Sequence, residues 1–187
     1  YTTTALTEVT QKLIVRSNSL HSEISKDSSK RLEIPYDFKK ISKKVAQGYK
    51  ALSISYSFLT YGPPSQKQSL YSLTLAYMGF SGYLNPFTNE AQVNSKTPVN
   101  SMPLTLAHEQ AHQLGYAAES EANFVAFLAT YNHKDPYLRY AAYTFALRYC
   151  LKDLYKRDKT TFEALTNNIH SGTVSYTHLR AHETSRN

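Results

Sequence analysis

His108, Glu109 and His112 stand in the run "LAHEQAHQLGYAAESEANF", residues 106–124, in the order H-E-x-x-H. On a helix the two histidines fall about one turn apart on one face, so both imidazoles can reach the same ion. Neutral imidazole suits Zn²⁺, and a catalytic zinc takes three protein ligands and leaves its fourth position to water. Glu109, next to the first histidine, would then stand beside that water as general base. Any helix can carry H-E-x-x-H by accident. Here Leu104, Ala107, Ala111 and Leu114 flank the histidines with apolar residues and turn the pair inward, where an unpaired imidazole needs a reason to be.

A third ligand must follow, and Gly115 supplies the means to reach one. Glycine accepts the left-handed conformation that ends a helix and lets the chain turn back at once. Glu119 and Glu121 are the candidates, about 200° apart around a helix, so only one can face the metal. Glu119 shares its side with Ala122 and Asn123. The alanine permits close packing, and the Asn123 amide could orient a ligand histidine. Glu121 is the alternative ligand, or an acceptor behind the ligands. A donor for an oxyanion could come from Tyr116, Tyr140, Tyr143 or Arg139, although most of the sixteen tyrosines must serve packing.

Periodicity predicts the elements that would hold these groups. Leu6, Val9, Leu13, Leu20 and Ile24 mark a first amphipathic helix, and Phe38, Ile41, Val45, Tyr49 and Leu52 a second, whose other face carries Lys39, Lys40, Lys43 and Lys44. "YGPPSQ" ends the second helix. The Tyr-, Leu- and Phe-rich stretch from Leu70 to Asn94 reads as short strands around a turn. Its part from Gly79 to Asn94 is either a structural hairpin or an extended edge that holds a peptide by main-chain pairing. Pro103 opens the H-E-x-x-H helix and Gly115 stops it. Further helices are expected at about Ala118–Tyr131 and Tyr137–Tyr155, with a weaker one after them. The fold class is mainly α with a small β element (α+β).

H-E-Q-A-H-Q-L-G followed by E-S-E-A-N-F, together with the upstream "GFSGYLNPFTNEAQVN", resembles the bacterial domain of unknown function 3810 family. The resemblance implies an H-E-x-x-H membrane protein with hydrophobic helices ahead of a zincin-like metallopeptidase domain. Membrane association would then reside in the full-length protein and not in the part read here. The second segment also resembles the E-x-x-A-N or E-x-x-A-D helix of glutamate-type zinc peptidases, whose first Glu binds metal, and this again selects Glu119. One departure stands out. Six residues separate His112 from Glu119, a shorter link than is usual in that class and closer to the compact glycine turn of the metzincins, whose third ligand would fall on Ala118, a residue that cannot bind zinc.

The bulk numbers narrow the field. With 187 residues the chain suits one domain, expected over residues 1–174 and truncated at its start. The formal charge of +7 comes from scattered residues with no aromatic-basic signature, so no nucleic-acid partner is expected. The lysine cluster reads as a solvated helix face. Cys150 is the one cysteine, so no internal disulfide forms. Residues 175–187 resemble a recurrent spurious ending of predicted proteins, and the second histidine pair there, His178 and His182, is set aside with them. The expectation is a zinc-dependent peptidase acting on a peptide or protein, with His108, His112 and Glu119 on Zn²⁺ and Glu109 as base. The alternative is a non-catalytic membrane-associated binding module with a structural or relic zinc site. Substrate, oligomeric state and membrane topology have no signature in the sequence.

Overall fold

The computed structural model describes residues 1–60, 62 and 65–173; the tail at 175–187, with His178 and His182, lies outside the described residues. Seven α-helices and three short strands are described, and the protein is mainly helical. The described residues divide into two compact units, one formed by residues 1–33 and 135–173, the other by residues within 34–134.

In the first unit α1 (Thr3–Ile24) packs along α6 (Pro136–Arg157), and α7 (Lys159–Thr166) closes against α6. Each helix starts on a side chain that accepts an amide its first turn leaves open: Thr2 from Ala5, Asp135 from Tyr137, Asp158 from Thr161. Leu6, Leu13 and Ile14 of α1 form one core with Leu147, Leu151, Leu154, Leu165 and Ile169, and Cys150 packs against it. Val9, on the expected stripe of α1, is exposed instead.

The second unit is built around a single helix. α4 (Met102–Gln113) touches α2 (Phe38–Ser55), α5 (Glu119–Tyr131) and the sheet. Asp37 caps α2 by accepting from Lys40. Ile41, Val45 and Tyr49 are buried as the period requires, and the Tyr49 hydroxyl donates to the Ala107 carbonyl at 2.6 Å. Ala107 and Ala111 of α4 and Ala122 and Ala126 of α5 are fully buried, small enough for the two helices to lie close. Gly48 does the same for α2: a Cβ there would sit 2.1 Å from the Ala129 carbonyl oxygen of α5.

The sheet has three strands in the order β1-β3-β2. β2 (Gly82–Leu84) and β3 (Ala91–Val93) form the expected antiparallel pair around a turn, and β1 (Gln66–Gln68) lies parallel to β3. Two features differ from the sequence reading. The part of the Leu70–Asn94 stretch expected to be strand begins as a short helix, α3 (Ser72–Tyr77). Ser69 starts it, its hydroxyl accepting from Tyr71 N–H and its carbonyl accepting from the Ser72 hydroxyl. Gly79 ends it at φ +77°, a conformation few other residues accept. β1 itself was not foreseen, because a polar Gln-Lys-Gln run carries no strand pattern.

Candidate metal centre

The local sequence after His112 builds the turn that brings the site together. Gly115 sits at φ +100°, its N–H donates to the His112 carbonyl at 2.9 Å, and Tyr116 N–H donates to the Ala111 carbonyl at 3.1 Å. This is the paired hydrogen bonding of a Schellman motif, which uses up carbonyls the helix end would leave open. The turn delivers Glu119 as the first residue of α5 and points the Tyr116 carbonyl back at the histidine ring.

Three side chains meet above α4. His112 Nε2 and His108 Nε2 are 3.0 Å apart, Glu119 Oε2 is 3.2 Å from His108 Nε2, and Glu119 Oε1 is 3.4 Å from His112 Nε2. Tetrahedral zinc with bonds of about 2.0–2.1 Å holds its donors about 3.3–3.4 Å apart. The separations of 3.0–3.4 Å lie close to that spacing, and no other group of three such side chains among the described residues comes together in this way. The rings stand nearly perpendicular, at 88°.

The His112 tautomer suits a cation. His112 Nδ1–H donates to the Tyr116 carbonyl at 2.7 Å, which leaves the Nε2 lone pair facing its neighbours. Burial holds His108 below the ordinary imidazole range, the adjacent His112 adds to this, and Glu119 and the Asn123 amide oppose it. His108 Nδ1 is buried without a hydrogen bond. Glu119 is the open side of the cluster, with 77% of its side chain exposed, so solvent reaches the donors from there.

Glu109 is held differently. It is only 5% exposed, Oε2 has no hydrogen-bond partner, and burial, reinforced by the Glu119 charge, pushes its pKa up to about 8. A Cβ at Gly82 would meet Glu109 Oε1 at 2.7 Å, so β2 walls the carboxylate in and any larger residue there would have to move it. In the sequence Gly82 reads as punctuation of the Leu70–Asn94 stretch, although a glycine inside a strand pattern is also a sign of close approach.

Other expected site residues are distributed as follows. Glu121 is exposed and stands outside the donor cluster, and Asn123 lies beside His108 as expected. Tyr116 contributes its carbonyl, while its half-buried ring lies near the Tyr49 hydroxyl. Arg139, Tyr140 and Tyr143 belong to the first unit. There Arg139 pairs with Glu23 at 2.8 Å, the Tyr140 hydroxyl donates to Thr173 Oγ1, and Tyr143 packs on the hydrophobic clusters of that unit. Two glutamines of α4, unremarked in the sequence, fasten the sheet instead: Gln113 donates to the carbonyls of Ser65 and Asn89, and Gln110 accepts from Gln66.

An H-E-x-x-H helix and a returning glutamate, carried on a mainly helical fold, define a protein with a candidate metal centre of the two-His, one-Glu kind. The family model described as "Protein of unknown function (DUF3810)" matches residues 1–183, and the chain belongs to that family. No curated protein and no solved structure matches the chain. No described helix is long and apolar enough to cross a membrane.

Proposed function

We propose that the protein is a zinc-dependent peptidase in which His108, His112 and Glu119 hold the metal and Glu109 is the general base. One observation carries the reading: two imidazoles and a carboxylate that approach one another to 3.0–3.4 Å, with Glu109, whose buried Oε2 has no hydrogen-bond partner, next to the first histidine on the same helix. Zn²⁺ at such a site would lower the pKa of a water toward about 7 and polarise a carbonyl. The positive charge would also draw the Glu109 carboxyl back toward its ionised form.

The residues then divide the work. His112, fixed by the Tyr116 carbonyl, and His108, kept neutral by burial, offer lone pairs rather than protons. Glu119 supplies negative charge from the exposed side. Glu109, in its dry position against Gly82, takes a proton from the attacking water and can return it to the leaving amine. An extended edge, β2, borders the same carboxylate, which favours a peptide over a small molecule.

The test compares the purified parent with Glu109→Gln, Glu119→Gln and Glu121→Gln, measuring zinc per chain and cleavage of a random decapeptide pool by mass spectrometry. The parent should bind one zinc and cleave. Glu109→Gln should keep the metal and lose hydrolysis by at least about 10²-fold; Glu119→Gln should lose the metal and Glu121→Gln should keep both. A parent that binds zinc and never cleaves would instead mark a structural site in a binding module.

A further inference from the structure

The register of the hairpin determines which main-chain groups of β2 face outward. Asn94 N–H donates to the Ser81 carbonyl and Asn85 N–H to the Glu90 carbonyl, both at 2.9 Å, and Tyr83 stands opposite Gln92 midway between these pairs. In an antiparallel ladder bonded and non-bonded pairs alternate, so Tyr83 spends its amide and carbonyl on β3. Gly82 and Leu84 therefore direct theirs to the other side. β2 is an outer strand, and among the described residues nothing pairs with that side.

The same alternation sorts the side chains. Gly82 stands opposite Val93 and Leu84 opposite Ala91, both fully buried, and the Cβ position of Gly82 runs into Glu109. This face looks at α4. Tyr83 belongs to the opposite, outer face, where its ring is half-buried.

We propose that the open edge of β2 takes up an extended, unstructured peptide segment through the amides and carbonyls of Gly82 and Leu84, and that Tyr83 selects one apolar side chain of that peptide. The proposal rests on the peptidase reading and gives it a substrate class. A chain paired with Gly82 runs about 4.8 Å from a residue that itself touches Glu109, so peptide bonds near that pair are the ones offered to the carboxylate. Peptide residues facing Gly82 and Leu84 turn toward α4. The residue between them turns outward, with its Cβ about 4.5–5.5 Å from that of Tyr83, where aromatic and β-branched partners are favoured. Folded domains are excluded, because their backbone groups are already paired.

The experiment records amide exchange by NMR on the ¹⁵N-labelled, zinc-loaded full chain carrying Glu109→Gln, with and without the random decapeptide pool. The Gly82 and Leu84 amides should gain protection and the Tyr83 amide, already bonded to β3, should not change. In parallel, the cleavage preferences of the parent and Tyr83→Ala are compared on the same pool. The variant should keep its zinc and lose roughly two- to fivefold of the apolar preference at one position. Hydrolysis by the parent without protection at Gly82 and Leu84 would overturn the edge and leave the peptidase reading standing. Protection without hydrolysis by the parent would do the reverse. Unaltered preference in Tyr83→Ala would remove the selecting role of that ring.

Discussion

Gly82 and Glu109 touch: the position a Cβ would take at Gly82 lies 2.7 Å from Glu109 Oε1 and 3.0 Å from both its Cδ and Cγ. The contact runs along the outer half of the carboxylate side chain, so a methyl group at residue 82 cannot be absorbed by a small tilt of the oxygens alone. Gly82→Ala should displace the base while leaving the histidines alone. The expected outcome is bound zinc at the parental level with peptide hydrolysis reduced by about 10²-fold, as for an approximately 1 Å misplacement. Metal analysis and cleavage assays on one preparation check it, and parental turnover would show that Glu109 is not confined by β2.

The burial of Glu109 also sets a pH dependence in the metal-free protein. Its carboxyl holds a proton up to about pH 8 when folded, against an ordinary value of 4.5. Below the ordinary value both states are protonated and the group has no effect. Above it the unfolded chain releases the proton first, so stability declines as pH rises between the two values. Glu109→Gln should abolish that decline, making the metal-free variant more stable than the parent at pH 8 by about a few kcal/mol and equal to it near pH 4. Urea unfolding in the presence of a chelator measures both ends. A parent whose stability is flat from pH 5 to pH 8 would contradict it.

Gly115 ties backbone conformation to the geometry of the donor cluster. At φ +100° an alanine is strained by about 1–3 kcal/mol. Relief of that strain pulls the Tyr116 carbonyl from His112 Nδ1 and shifts the start of α5. Gly115→Ala is therefore expected to weaken zinc binding by about 10–100-fold as well as lowering the unfolding midpoint. Competition titration with a coloured chelator distinguishes this from simple destabilisation, which would leave the affinity of the folded fraction unchanged.

Much of the donor cluster was legible in the sequence because it depends on short-range geometry. The spacing of His108 and His112 follows from the helical repeat, and the choice of Glu119 over Glu121 as the near carboxylate follows from a helix that starts directly after the glycine turn. What the sequence left out depends on long-range pairing. β1 exists because Gln66–Gln68 finds β3 and because Gln66 is bonded to Ser42 and Gln110, none of which leaves a periodic trace. α3 was masked by leucines and tyrosines with strand-like composition, and the serines that start it act over three residues only. Nothing in the spacing of Tyr140 reveals that α6 buries it beside Leu20 and Leu32.

All three donors fall within residues 108–119, a closed loop of about a dozen residues whose entropy cost barely depends on the remainder of the chain. The hairpin that carries the proposed recognition edge is a separate stretch, fastened to α4 by glutamine side chains. Apart from Gly82, whose place against Glu109 ties it to the site, residues of the hairpin can therefore differ between descendants without disturbing the donor cluster, and under the peptidase reading diet could change while the chemistry is inherited.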